Sequence, residues 1–234
     1  MSDDQLVGID LGLKEFAITS DGEVFETPKL YRKKQKKLKR KQQVLARRKK
    51  GSANRTKARK ALNKQHYKIK CQRQDFIHKA SSQIAKDYLF IAVEDLNIQG
   101  MKKNKHLSKA ISDQGWAGFI EQLMYKSKIN GGCTVKINRW APSTKTCSSC
   151  GNTQDIPLHV RTYECGCGLT LDRDINAAIN IKNWGRDEIN RCGTHRIYAC
   201  GDTTDGEKAI AFSSYVSMNQ EKFSSILEEK PSLL

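Results

Sequence analysis

"CGCGLTLDRDINAAINIKNW", residues 165–184, places two cysteines, two aspartates and the start of a helix within twenty positions. The stretch from Ile175 to Trp184 predicts a helix, and its paired alanines let that helix lie close against a sheet. Thiolates are soft ligands and carboxylates hard ones, so the two sets suit different ions. Either the aspartates cap the helix or two sites meet here. The choice turns on whether matching cysteines and acids lie elsewhere in the chain.

Matching cysteines do. "TCSSCGN" supplies Cys147 and Cys150, and fourteen residues separate them from Cys165 and Cys167. Two close pairs in a polar loop predict a zinc ribbon, a closed structural site with no open position for catalysis. Gly151 and Gly168 follow the pairs and let the backbone turn so that amides face the sulfurs. The second pair is C-x-C, a tighter bite than C-x-x-C, which makes His159 a candidate substitute ligand. Zinc would give this loop the folding energy it cannot gain by burial. Cys71, Cys133, Cys192 and Cys200 lack such partners and read as core or free thiols.

Matching acids lie far upstream. "LVGIDLG" reads as a strand in which Asp10, flanked by Gly8 and Gly12, sits among apolar residues. A carboxylate there needs a partner, and a divalent cation is one. "YLFIAVEDL" is a buried strand by its continuous apolar run and ends at Glu94 and Asp95. Asp174 opens the helix of the first stretch, where an aspartate is ordinarily an N-cap.

Around these motifs, "LVGIDLGLKEFAITSDGEVFET" predicts three short strands in an antiparallel meander. Residues 30–86 predict a helical hairpin, with Leu38 and Leu45 on one arm and Leu62, Ile69 and Phe76 on the other, seven apart. "SDQGWAGFIEQLMYKSKING" predicts an amphipathic helix, "CTVKINRW" another strand, and residues 185–234 a loosely ordered tail. Net charge is +17, and residues 29–79 hold 22 of the 42 basic residues but one acid, Asp75. The rest of the chain is slightly acidic, so the positive field belongs to the hairpin, and its natural partner is nucleic acid. Arg32, Lys36, Arg40, Arg47, Arg48, Arg55 and Arg59 are its candidate phosphate contacts, with Lys145 and Arg173 outside it. The hairpin lacks the apolar face of a membrane-surface helix, and no run is long enough to span a bilayer. The expected location is the cytoplasm, where cysteines serve as ligands or thiols rather than disulfides.

Three motifs in this order, "GIDLG", "VEDLN" and "LDRDINAAINI", resemble those of a RuvC nuclease domain. With "SDQGW" and "RWAPSTKTCSSCG" the chain is similar to TnpB, the OrfB-type proteins of insertion sequences, from about Leu6 to Trp184. The resemblance implies an α/β, RNase H-like (RuvC) mixed sheet, with a basic helical hairpin and a zinc ribbon (143–170) inserted. The nuclease domain would then comprise residues 1–142 and 171–184. It makes Asp10, Glu94 and Asp174 the ligands of catalytic Mg²⁺ or Mn²⁺, with Asp174 preferred to Asp172 and Glu94 to Asp95. Cys147, Cys150, Cys165 and Cys167 become the zinc ligands.

The implied activity is two-metal hydrolysis of DNA phosphodiesters, RNA-guided in the full-length family. DNA and a guide RNA are the implied partners. Family members also carry an N-terminal recognition region, whereas "VGIDLG" begins at residue 7. That departure implies a truncated product, a fragment working with a partner that supplies the region, or an excised catalytic half. The rivals are a non-cleaving zinc-ribbon DNA- or RNA-binding protein, or transposase accessory, and a transposase using the same metal site for strand transfer.

Overall fold

In the computed structural model, residues 3–157 and 159–192 are described. The chain's central element is a five-stranded mixed sheet in an α/β arrangement. β1 (Leu6–Asp10), β2 (Glu15–Thr19) and β3 (Val24–Glu26) form the antiparallel meander, and β4 (Phe90–Glu94) and β5 (Cys133–Ile137) continue it in parallel. The strand order is β3-β2-β1-β4-β5, which puts β1 and β4 side by side at the centre.

Strand periodicity decides what each face carries. Val7, Ile9, Ile91 and Val93 point into a core shared with α2 (Ala53–Asp87) and α5 (Trp116–Ile129). Leu6, Ala92 and Ile137 point the other way, into a smaller core with Ile181 and Ile189 of α6 (Arg173–Cys192). Asp10 shares the phase of Leu6 and Gly8, and Glu94 that of Ala92. Both acids therefore belong to the face that α6 covers.

Close contact on that face depends on two glycines. A Cβ on Gly8 would lie 2.1 Å from the Ala178 carbonyl oxygen, and one on Gly185 would lie 2.3 Å from the Ala92 Cβ. Gly185 thus marks helix–sheet contact rather than a helix end. This corrects the expected boundary: α6 continues to Cys192, eight residues past Trp184, because Ile189 extends its apolar stripe over the sheet. The rest of the expected tail lies outside the described residues, as do Cys200 and the side chain of Cys192. The helix expected over residues 112–131 is also divided. Gly115, at φ 74°, ends α4 (Ser108–Gln114) and opens α5, a left-handed conformation that glycine adopts without steric cost. The short α3 (Ile98–Met101) precedes it.

Between β3 and β4 come α1 (Leu30–Arg47) and α2. Leu38, Leu62 and Ile69 meet in a cluster of their own, flanked by Leu45. The 35 residues of α2 give it a length of about 52 Å. Its second half, through Ile77, Ala80, Ile84 and Ala85, joins the main core, so the hairpin projects from the sheet on a continuous helix. Asp113 fixes the base, accepting from the Tyr31 amide at 2.9 Å and from the Arg73 guanidinium at 3.1 Å. Lys126 adds a second tie from α5, its buried ammonium donating to the His78 carbonyl and to Ser81 and Ser82 of α2.

Candidate functional site

Parallel pairing aligns Ile9 with Val93, so one further step brings Asp10 alongside Glu94 at the ends of two adjacent strands. Asp174, in the first turn of α6, completes a set that lines one cavity of about 530 Å³. Burial first, and then the charges of Glu94 and Asp174, push the Asp10 carboxyl up to about 8. Burial also raises Glu94, opposed by the Ser143 hydroxyl, which donates to Glu94 Oε1 at 2.6 Å. Asp174 instead pairs with Arg161 at 3.1 Å and Arg173 at 3.3 Å.

The neighbouring acids are occupied differently. Asp172 Oδ1 accepts from the amides of Asp174 at 2.8 Å and Ile175 at 3.3 Å, so Asp172 is the helix cap. Its capping role leaves Asp174 free to face the cavity. Asp95 accepts from Arg139 and belongs to a larger cavity of about 1060 Å³, walled by Trp140 and Trp184. That space is bigger, but it holds neither Asp10, Glu94 nor Asp174, and it offers no cluster of acids.

The four cysteines form the tightest ligand group. Their sulfurs all lie within 4.8 Å of one another, the one such group of metal-ligating side chains among the described residues. A zinc ion bound tetrahedrally at 2.3 Å would space its sulfurs by about 3.8 Å. Cys147 and Cys167 are 3.7 Å apart and Cys150 and Cys165 3.6 Å, so these two spacings match a tetrahedral ion, and four thiols in reach of one another are a donor set that suits zinc. Burial alone would raise the Cys147 thiol, but the amides of Cys150 and Ser149 and the neighbouring thiols bring it below its ordinary value. The C-x-C pair reaches this geometry, and His159 stands exposed outside the group. β6 (Thr162–Glu164) and β7 (Thr170–Asp172) form the hairpin that carries Cys165 and Cys167, over a fully buried Tyr163.

Hydrogen bonds join this module to the carboxylate cavity at several points. Asn180 Nδ2 donates to the carbonyls of Ser143 at 2.8 Å and Thr146 at 2.7 Å, and Asn176 Nδ2 also donates to Thr146. The Ser148 amide donates to Asn176 Oδ1 at 3.0 Å. Arg173, almost fully buried, donates to the Val160 carbonyl as well as to Asp174. Sequence reasoning missed Ser143, Arg161 and the two asparagines. The asparagines left a signal, since the i,i+4 spacing in "DINAAIN" puts both on one helix face; Arg161 left none.

The basic residues divide into two groups. Arg32, Lys36, Arg40, Arg47, Arg48 and Arg59 are exposed along the hairpin. Arg55 donates to the carbonyls of Leu45 and Arg48 and so closes the α1–α2 turn. Lys145 pairs with Asp155, and Arg173 is held inside as described. A groove of about 780 Å³ between α2 and α4 adds residues the sequence reading omitted. Tyr67 exposes its ring there beside His66 and Lys70, facing Lys109. Among the described residues no helix is long and apolar enough to cross a membrane.

Comparison with known proteins gives this geometry a family. Residues 2–105 match a family model described as "Probable transposase" (OrfB of IS605 type), and residues 116–181 match the "Cas12f1-like, TNB domain" model. The chain belongs to the TnpB (OrfB) family. Two relatives bear the name "Putative RNA-guided DNA endonuclease". The one from Streptomyces pristinaespiralis is 37% identical over 92% of this chain and 52% of its own length. The other, InsQ of Escherichia coli (strain K12), is 32% identical over 88% of this chain and 53% of its own. A "TnpB-like protein" of Acanthamoeba polyphaga mimivirus is 30% identical over 76% of this chain and 37% of its own. The chain therefore spans about half the length of the curated relatives it matches. Its fold is shared with a chain of the "Cas12f1-sgRNA-target DNA complex", at TM-score 0.57 and 19% identity, over 78% of this chain and 50% of that one. Within this TnpB-type fold, residues 143–174 leave the carboxylate cavity at Ser143, pass through the cysteine group and return to the cavity at Asp174.

Proposed function

We propose that this chain is the catalytic part of a TnpB-type, RNA-guided DNA endonuclease, with an RNase H-like (RuvC) domain that hydrolyses DNA phosphodiesters. One observation carries the reading. Asp10, Glu94 and Asp174, distant in sequence, line one cavity, and Asp10 is buried beside the other two carboxylates. Three acids sharing a cavity repel one another, and a protein keeps such an arrangement at a cost unless cations neutralise it. Hard carboxylate oxygens suit Mg²⁺ or Mn²⁺. Asp10, Glu94 and Asp174 would hold these ions. When bound, such ions lower the pKa of an attacking water and neutralise the leaving oxygen.

The remaining work falls to the chain's own groups. Arg161 and Lys14, at the cavity wall, place positive charge where a phosphate would enter. The exposed bases of α1 and α2 track the nucleic-acid backbone without reading sequence. The cysteine group holds zinc and gives the ribbon a fixed shape from which Arg161 and Asp174 are delivered. Homologous names and the shared Cas12f1 fold support guide RNA and DNA as partners.

The test incubates the purified chain with labelled single- and double-stranded DNA, with and without co-expressed guide RNA, in Mg²⁺, Mn²⁺ or no divalent ion. Cleavage that requires the ion and disappears in Asp10→Ala, with binding retained, is the expected result. Cleavage unaffected by Asp10→Ala would refute the assignment, and binding without cleavage under every condition would make the chain a zinc-ribbon nucleic-acid-binding protein.

A further inference from the structure

Glu94 is the last residue of β4, where the sheet fixes its backbone but nothing in the strand fixes its carboxylate. The bond that fixes it comes from Ser143, in the segment leading into the ribbon, at 2.6 Å. It engages Oε1 and leaves the second oxygen open to the cavity. Ser143 is itself buried, with its carbonyl bonded by Asn180 Nδ2. The same amide nitrogen bonds the Thr146 carbonyl, a task that needs the two donors an asparagine amide has and an aspartate lacks. Asn180 lies on α6, the helix that also presents Asp174.

We infer that Ser143 is a positioning residue for the metal-binding carboxylate of Glu94, and that Asn180 acts through Ser143 to tie that carboxylate to the helix of Asp174. This rests on the reading of the three acids as divalent-cation ligands. Two ligands from different parts of the chain then move as one body, because both answer to α6. Asn176 extends the tie into the ribbon through Thr146 and Ser148, on either side of Cys147. Bonds of this kind, one step removed from an ion, alter metal affinity by about 10–100-fold.

The test uses the full zinc-loaded chain with Mn²⁺ as the probe, its bound fraction read by electron paramagnetic resonance without substrate. Ser143→Ala should weaken Mn²⁺ binding by about 10–100-fold while zinc content and far-UV circular dichroism stay unchanged. Ser143→Thr, which keeps the hydroxyl, should restore affinity to within a few-fold. Asn180→Ala should weaken binding in the same direction, and the double variant should bind no worse than the weaker single one, since both act along one path. Parental Mn²⁺ affinity in Ser143→Ala would overturn the inference and leave the metal reading intact. Weakening that appears only together with zinc loss would overturn it too, by making the hydroxyl a ribbon-folding group. A parent chain that binds no Mn²⁺ would overturn both.

Discussion

Replacing Gly8 with alanine tests how the site is assembled. The added Cβ would sit 2.1 Å from the Ala178 oxygen, 2.4 Å from the Lys182 nitrogen and 2.9 Å from the Lys182 Cα. All three obstacles are α6 backbone, so no side chain can rotate away. Reaching ordinary contact at 3.4 Å requires β1 and α6 to separate locally by about 1.3 Å. Overpacking costs about 1–3 kcal/mol, and occasionally more. A rigid helix seated by Ala177, Ala178 and Ile181, all fully buried, places this case at the upper end. The entropy that alanine removes from the unfolded chain returns about 0.4–1 kcal/mol at most, leaving a net loss of about 2–3 kcal/mol. In urea, with a slope of about 2 kcal/mol/M, the midpoint should fall by about 1–1.5 M. Because Asp10 lies two residues beyond Gly8 and α6 carries Asp174, Mn²⁺ affinity should fall as well. Gly118 in α5 is the control, since a Cβ there meets nothing within 4 Å. Gly118→Ala should be neutral or stabilising by up to about 1 kcal/mol. A Gly8→Ala protein within 0.5 kcal/mol of the parent would refute the claim that strand and helix touch through backbone.

Other outcomes follow from the same geometry. The folded Asp10 carboxyl, at about 8 against an ordinary 3.8, keeps its proton to higher pH than in the unfolded chain. Its contribution to stability is full below pH 4 and is lost as pH rises through 8. Asp10→Asn in divalent-free buffer with zinc retained should therefore flatten the urea midpoint between pH 5 and 9, with about 6 kcal/mol as a ceiling. Removing zinc with a thiol-selective chelator should abolish amide protection over residues 143–172 while β1 and β4 stay protected, read by hydrogen exchange. Arg40→Gln should reduce the salt slope of DNA binding by about 0.7–0.9, whereas Arg55→Gln should leave the slope unchanged and destabilise the α1–α2 turn. Tyr67→Ala should weaken single-strand binding by about 1–3 kcal/mol with an unchanged salt slope, as loss of stacking rather than of charge requires.

Much of this protein's local architecture is legible in the order of its residues. Alternation in "LVGID" and "LFIAVE" puts Asp10 and Glu94 on one side of their strands, because a strand's side chains change face at every residue. Two close cysteine pairs define a four-thiolate group wherever the loop between them runs. The positive field of the hairpin is a matter of composition. Other features depend on long-range packing. Asp172 and Asp174 are equivalent as letters, and only the start of α6 makes one the cap and turns the other toward the cavity. Gly185 looks like a helix breaker until Ala92 lies beneath it. Arg55 and Arg173 look like phosphate contacts until the carbonyls and carboxylate they serve come within reach. Short-range periodicity is written along the chain, but which groups lie close enough to bond depends on segments distant in sequence, and only packing brings those together.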